Sequence, residues 1–406
     1  MGSGAAGANA RRGDPRVRRN AGNGRAGLSI ETITLGCRLN FAESEAMARA
    51  HRDEALIIVN SCAVTNEAVR QTRQAIRRAH RRRPDARILV TGCASELDRA
   101  AFEAMPEVSS VLPKTDAMAS TVPAGFQGHV RSFVAVQTGC DHRCTFCTIW
   151  QARGESRSYP FEAIRDAVAK EIDRGAREIV LTGVDITDYE GGLGKLCQRL
   201  LAAEPRLSRL RLSSLDSIEI DGALMELVAG ERRLMPHFHL SLQAGDDMIL
   251  KRMKRRHDRA DAVRTVEQIK AVRPDATIGA DLIAGFPTET EDMSLNSLRL
   301  IDDCDIVAAH VFPYSARPGT PAARMPQLAH EVVKARASRL REAAAARREA
   351  WLDSLVGTSQ QVLIENKSKG HGQSFAPVSV AGSARGDLIE ARIVERDGGQ
   401  LVGVAA

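Results

Sequence analysis

No stretch of this 406-residue sequence approaches the roughly 20 consecutive apolar residues that a membrane-spanning helix needs. A secretory signal, with a basic segment ahead of a short apolar core, is missing as well. The chain is therefore expected in the cytoplasm, with no membrane partner. That compartment keeps thiols reduced, so the eight cysteines argue against disulfides and towards metals, clusters or catalysis. A large excess of one charge sign is also lacking: 57 basic residues stand against 51 acidic ones, a net of +6. The excess permits a polyanionic partner without demanding one. Apolar residues make up 43% of the chain, an ordinary share for a globular protein, and the length calls for two or three domains.

Residues 1–27 are rich in Gly, Ala, Asn and Arg and show no hydrophobic period, which predicts a disordered basic tail. An α/β domain with a parallel sheet is expected over 28–125. Its strands are the apolar runs Ser29–Gly36, Ala55–Asn60 and Arg87–Thr91, with helical stretches after the second and third. Each run ends at a cysteine, Cys37, Cys62 or Cys93. The carboxyl ends of parallel strands lie along one edge, where ligands bind, so these three should converge. Small buried residues at strand ends are the plainer reading of one such cysteine; three in equivalent places favour a site.

After a Pro/Gly-containing link at Pro123–Gly128, a second α/β region is expected over 126–355. Six strand candidates stand out: Ser132–Thr138, Glu178–Thr182, Arg209–Ser213, His237–Leu242, Thr277–Ala284 and Ile306–Phe312. Helical patterns such as Phe161–Arg174 and Arg259–Val272 separate most of them. Six βα units predict an open, partial (β/α)6 barrel, since a complete eightfold barrel needs more chain. A long helix is expected at Leu328–Leu355. Over 356–406, the short β-prone runs Gln361–Glu365, Pro377–Val380, Leu388–Val394 and Leu401–Val404 predict a small all-β barrel.

The sharpest signal is Gly139-Cys140-Asp141-His142-Arg143-Cys144-Thr145-Phe146-Cys147. Thiolates are the ligands of iron–sulfur clusters. Three of them satisfy three irons of a 4Fe-4S cube and leave the fourth open to a chelating substrate. The competing reading is zinc with His142 as fourth ligand. Structural zinc sites usually pair two arms from different segments, and His142 lies between the first two cysteines, poorly placed to complete a tetrahedron.

Cys-x3-Cys-x-Phe-Cys resembles the radical S-adenosylmethionine (SAM) motif, and its surroundings resemble the methylthiotransferase family. The likeness runs through Thr34–Asn40, Asn60–Cys62, Thr91–Cys93, Ala152–Ser158, His239–Gly245, Ala284–Thr290 and Pro313–Pro321, and spans about residue 31 to the C-terminus. It implies that Cys140, Cys144 and Cys147 bind a SAM-cleaving 4Fe-4S cluster. Cys37, Cys62 and Cys93 would then bind a second 4Fe-4S cluster that carries the sulfur to be inserted. One SAM would methylate that sulfur. Another would yield a radical that abstracts hydrogen from an unactivated C–H bond.

Within the family, Thr34–Glu45, Val64–Gln71 and Val311–Ala323 look most like the branch that methylthiolates C2 of N6-threonylcarbamoyladenosine at position 37 of tRNA. The resemblance implies the tRNA anticodon stem-loop as partner, a flavodoxin or ferredoxin as electron donor, and a monomer. The C-terminal barrel resembles an RNA-binding TRAM domain, although Gly370–Phe375 (GHGQSF) departs from that pattern. Two departures lie elsewhere: a short connection between Glu45 and Leu56, and Ile149-Trp150 in place of Ile-Pro.

Candidate SAM contacts are the strand-end residues Gly183, Ser214, Asp216 and Gln243, with Phe146 in the cluster loop. Each taken alone also reads as a structural residue. A carboxylate on the threonylcarbamoyl group calls for a cation in the pocket, for which Arg153 and Arg157 are the candidates. Arg70, Arg73, Arg77 and Arg81 recur at helical spacing, as a solvated face or as a phosphate-binding one. Cys197 and Cys304 sit alone in helical patterns and read as structural. Other family branches act on isopentenyladenosine in tRNA or on an aspartate of a ribosomal protein. An RNA-binding protein without catalysis would leave the six-strand region unexplained.

Overall fold

The computed structural model describes residues 30–51, 55–114, 122–125 and 130–406, together with the backbone of 18–21. Most of the tail expected at 1–27 therefore lies outside the described residues. Within it, Arg18–Ala21 pairs antiparallel with Glu31–Thr34.

The first domain is a five-stranded sheet in sequential order. Glu31–Thr34, Leu56–Ser61, Arg87–Gly92 and Ser110–Val111 run parallel. All six residues of Leu56–Ser61 are buried, as expected of a parallel strand covered on both faces. The helix Asn66–Arg82 starts at Thr65, whose hydroxyl accepts from the Ala68 N–H. It lays Thr72, Ala75, Ile76 and Ala79 against the sheet, the i, i+3, i+4, i+7 stripe of a surface helix.

The second region carries the six expected strands. The third is broken at Ser213: Leu210–Leu212 pairs with Glu178–Thr182, and Ser214–Leu215 pairs with His237–Gln243. Two four-stranded sheets meet at this break. One continues to Arg131–Ala135, the other through Thr277–Ala284 to Ile306–Pro313. The expected link at Pro123–Gly128 is partly an edge strand, since Ala124–Gly125 pairs antiparallel with Phe133–Val134.

Strand alternation divides this barrel into two chemical halves. Val134, Ile179, Leu181, Leu210, Leu240 and Ile278 face outward and pack with Ile164, Val168 and Val266 of the helical layer. The intervening residues Arg131, Glu178, Arg211, His237, His239 and Asp281 face the lumen. Glu178, fully buried, is bound by Arg131 Nε (2.5 Å), Arg209 Nε (3.0 Å) and Arg211 Nε (2.9 Å).

The helix His330–Ser354 packs along Ile306–Pro313 and delivers Leu352 to the core of the C-terminal domain. That domain is a closed barrel of five strands. Four correspond to the expected runs. The fifth, Lys369–His371, lies in the segment that departs from the TRAM pattern.

The same segment plugs the N-terminal mouth of the larger barrel. Arg209 and Arg211 donate to the Gly372 and Gln373 carbonyls (3.3 and 3.2 Å), and Thr277 Oγ1 donates to the Ser374 carbonyl (2.9 Å). Phe375 stacks between His371 and His237, with the Arg131 and Arg211 guanidinium groups over its ring. The departure from the TRAM pattern thus coincides with a docking role. Phe375→Ala should weaken this docking by about 2 kcal/mol, from lost apolar and cation–π contact. Limited proteolysis checks this: the variant should release a fragment of about 50 residues faster than the parent.

Candidate active site

Adjacent parallel strands bring the first three cysteines together. Thr34 pairs with Asn60 and Ser61 with Gly92, so Cys37, Cys62 and Cys93 follow at one sheet edge. Gly36, at φ 101°, lets the chain cross Cys62: a Cβ there would lie 2.8 Å from the Cys62 Sγ. Cys37 is exposed, and Cys62 and Cys93 are buried. Burial pushes the Cys62 thiol up to about 12, despite a backbone N–H aimed at it, and nearby Cys37 and Cys93 add to the rise. Burial also opposes ionisation of Cys93. Arg153 and Lys114 outweigh it and hold that thiol below its ordinary range.

A charged floor supports this edge. Arg153 donates to Cys93 Sγ (3.3 Å), Glu43 Oε1 (2.8 Å), Asn40 Oδ1 (2.7 Å) and Thr138 Oγ1 (3.2 Å). Lys114 Nζ lies 2.8 Å from Glu43 Oε2. Two buried cations face one buried carboxylate, leaving a positive balance beneath the thiols that favours their ionised form. Sequence reasoning missed Glu43 and Lys114. It took Arg153 for a substrate-binding cation, whereas the side chain is fully engaged here. Arg157, its companion, is exposed.

Cys140, Cys144 and Cys147 lie in the loop beyond the first barrel strand, all as free thiols. The loop is tied down on three sides. Cys140 N–H donates to the Gly154 carbonyl (3.1 Å), Thr145 binds the Met253 and Arg252 carbonyls (3.1 and 2.7 Å), and Ala322 N–H donates to the Thr145 carbonyl (3.0 Å). Burial pushes Cys140 up to about 12 and Cys147 up to about 11. Donors already point at the sulfurs: Ile149 N–H lies 3.3 Å from Cys147 Sγ and Arg255 Nη1 3.9 Å from Cys144 Sγ. Three thiols of one fixed loop, near enough to raise one another's pKa and with N–H donors around them, fit a cluster.

The two cysteine sets face each other. Cys93 contributes to the rise at Cys147. The helix Ile149–Arg153, leaving the central loop, packs on Cys93–Leu97 and carries Arg153 to Cys93. His142 Nε2 lies 2.5 Å from Asp185 Oδ2, and both groups stay within 4.8 Å of the Cys140 sulfur.

The expected SAM contacts follow successive strand ends. Gly183 comes directly after Glu178–Thr182, and a Cβ there would lie 2.8 Å from the Gln137 carbonyl oxygen. Gln137, which sequence reasoning missed, ties the site together. Its side chain accepts from Val184 and Asp185 N–H (3.1 and 2.9 Å) and donates to the Gly139 carbonyl and Ser156 Oγ (both 2.9 Å). Ser214 sits at the strand break. Asp216 is buried and paired with Arg255 (2.8 Å). Gln243 ends its strand at φ 68°. Phe146 packs among Ile249, Leu250 and Met253 and meets Phe286 edge to face at 6.4 Å.

Arg38 enters from the first domain. It lies among Arg131, Arg211, Glu178 and Asp281, and burial, with the neighbouring Arg211 and Arg131, lowers it to about 10. The Arg70–Arg81 stripe is mostly spoken for: Arg70 pairs with Glu67, Arg73 with Asp98 and Arg77 with Glu107. Cys197 and Cys304 are fully buried in the outer core of the barrel. Among the described residues, no helix is long and apolar enough to cross a membrane.

Comparison with known proteins agrees with this geometry. The radical SAM superfamily model matches residues 134–301, and uncharacterized protein family UPF0004 matches residues 29–113. A threonylcarbamoyladenosine tRNA methylthiotransferase MtaB of Rickettsia prowazekii is 40% identical over 93% of this chain and 97% of its own length. The MtaB of Chlamydia pneumoniae is 32% identical, over 92% and 98%. A tRNA-2-methylthio-N(6)-dimethylallyladenosine synthase of Erythrobacter litoralis is 30% identical, over 91% and 95%. With a 4Fe-4S cluster and SAM as the cofactors its radical SAM domain implies, the chain belongs to the MtaB-like radical SAM methylthiotransferase family.

Proposed function

We propose that this enzyme inserts a methylthio group at C2 of N6-threonylcarbamoyladenosine in the tRNA anticodon loop, using SAM and two 4Fe-4S clusters. Cys140, Cys144 and Cys147 would hold one cluster, and Cys37, Cys62 and Cys93 the other. When bound, the first cluster and SAM supply the radical chemistry and the second supplies sulfur. The observation that carries the reading is the facing pair of cysteine sets, bridged by Arg153. Gly183, Ser214, Asp216 and Gln243 ring the strand ends where SAM would lie, and Phe146 braces the loop from behind. A flavodoxin or ferredoxin would supply electrons to a cytoplasmic monomer.

The lumen favours this substrate over its isopentenyl counterpart. An isopentenyl group calls for an apolar pocket, because it leaves the polar groups around it unpaired. The inward strand residues here are polar instead, with His239 and Asp281 beyond the end that Phe375 and its loop fill. A single-stranded anticodon-loop purine can be splayed into the lumen without breaking a duplex. The reconstituted enzyme should therefore be offered both modified tRNAs and the small-subunit ribosomal protein. Methylthiolation of the threonylcarbamoyl nucleoside, at least about tenfold faster than of the others, is expected. Product on the isopentenyl nucleoside or the protein alone would overturn the substrate assignment.

A further inference from the structure

The geometry points to Arg38 as the residue that binds the carboxylate of the threonylcarbamoyl group and so selects the modified nucleoside. This assignment rests on the substrate reading above.

Arg38 opens the helix Arg38–Ala50, directly after Cys37. One turn later, on the same face, Phe41 meets Phe133 edge to face at 5.3 Å. Phe133 stands between Arg131 and Ala135, on the lumen side of the first barrel strand. The same turn sets Arg38 over that strand, near enough to Arg131, Arg211, Glu178 and Asp281 to feel their charges.

Both of those carboxylates are already committed. Glu178 is held by three arginines. Asp281 Oδ1 lies 3.1 Å from both His239 Nε2 and His310 Nδ1. Among the described residues, no hydrogen bond or ion pair engages Arg38. Helix stability does not account for it, because a cation in the first turn opposes the helix dipole. A half-buried cation beside two other arginines, with no ion pair of its own, gains from an anionic ligand.

Position agrees with charge. The substituent and the reacting carbon share one six-membered ring. The carboxylate lies several bonds beyond that ring, within reach of a long side chain rooted beside the sulfur-bearing ligand set, and Arg38 is peptide-bonded to Cys37. Its planar fork matches a carboxylate in two-point contact. The cations nearest the cysteine sets are less available: Arg153 is bound to Glu43, Arg255 to Asp216, and Arg317 donates to the Asn66 side chain. An isopentenyl group would leave Arg38 unpaired, which discriminates against that nucleoside.

The test is fluorescence anisotropy with the reconstituted enzyme and three anticodon stem-loops. They carry threonylcarbamoyladenosine, its methyl ester, or unmodified adenosine. A charged hydrogen-bonded contact predicts that the parent enzyme binds the acid about 10- to 100-fold tighter than the ester. Arg38→Gln should erase that ratio while binding the unmodified RNA as the parent does, and Arg38→Lys should keep part of it. An unchanged ratio in Arg38→Gln, with the ratio lost in Arg317→Gln, would overturn the assignment. Should Arg38→Gln bind no RNA, Arg38→Lys decides: a reduced ratio supports the assignment and an unchanged one overturns it. A parent enzyme that methylthiolates the threonylcarbamoyl RNA yet binds acid and ester alike overturns Arg38 alone. One that methylthiolates only isopentenyl RNA overturns the substrate reading and Arg38 with it.

Discussion

Cys140→Ala should abolish SAM cleavage and remove about half of the iron, whereas Cys62→Ala should remove a similar share yet leave SAM cleavage intact. Methylthiolation should be lost in both. The separation follows from how each set is held. Cys140 sits in a loop fixed by Gly154, Met253 and Ala322, while Cys62 follows a strand of the first domain. Emptying one set therefore does not dismantle the other. Iron analysis and a 5′-deoxyadenosine assay read the two outcomes independently. About four irons in the reconstituted parent enzyme would sink the two-cluster reading.

Glu178→Gln should destabilise the protein by about 3–5 kcal/mol, the cost of leaving buried charges without their partner. Arg131, Arg209 and Arg211 all converge on this carboxylate. Burial alone would raise its pKa. Arg211, Arg131 and Arg209 overcome that and hold it well below the usual carboxylate range. With a folded-state value below the unfolded one, the carboxylate's contribution is present in full above the unfolded pKa. It is lost as pH falls through the folded one. Urea denaturation at neutral pH should show the full loss in Glu178→Gln. The difference between parent and variant should narrow only under strongly acidic conditions. Equal stabilities at neutral pH would mean that the arginines find other partners.

The barrel strands were legible because their outward residues are apolar and regularly spaced. Thr277–Ala284 and the helix Arg259–Val272 match the expected bounds at both ends. The lumen was harder to read. Arg209-Leu210-Arg211 and His237-Phe238-His239 alternate polar with apolar residues, a period-two signal that marks an inward polar face. Which polar residues meet across the barrel depends on strand order and stagger, which no local pattern encodes. The cysteine sets stood out because thiols at strand ends are rare and their spacing is distinctive. Their support was hidden, since Glu43, Lys114 and Arg153 come from three distant segments and look like surface charges in the sequence. Lys369–His371 was missed as a strand because three residues beside glycines carry too little β pattern.

The most direct measurement is mass spectrometry of tRNA nucleosides from cells with and without the gene. Loss of the 2-methylthio form of threonylcarbamoyladenosine, with its unthiolated precursor accumulating in proportion, is the predicted result. Unchanged levels of that nucleoside, with the methylthio form of isopentenyladenosine lost instead, would contradict the account.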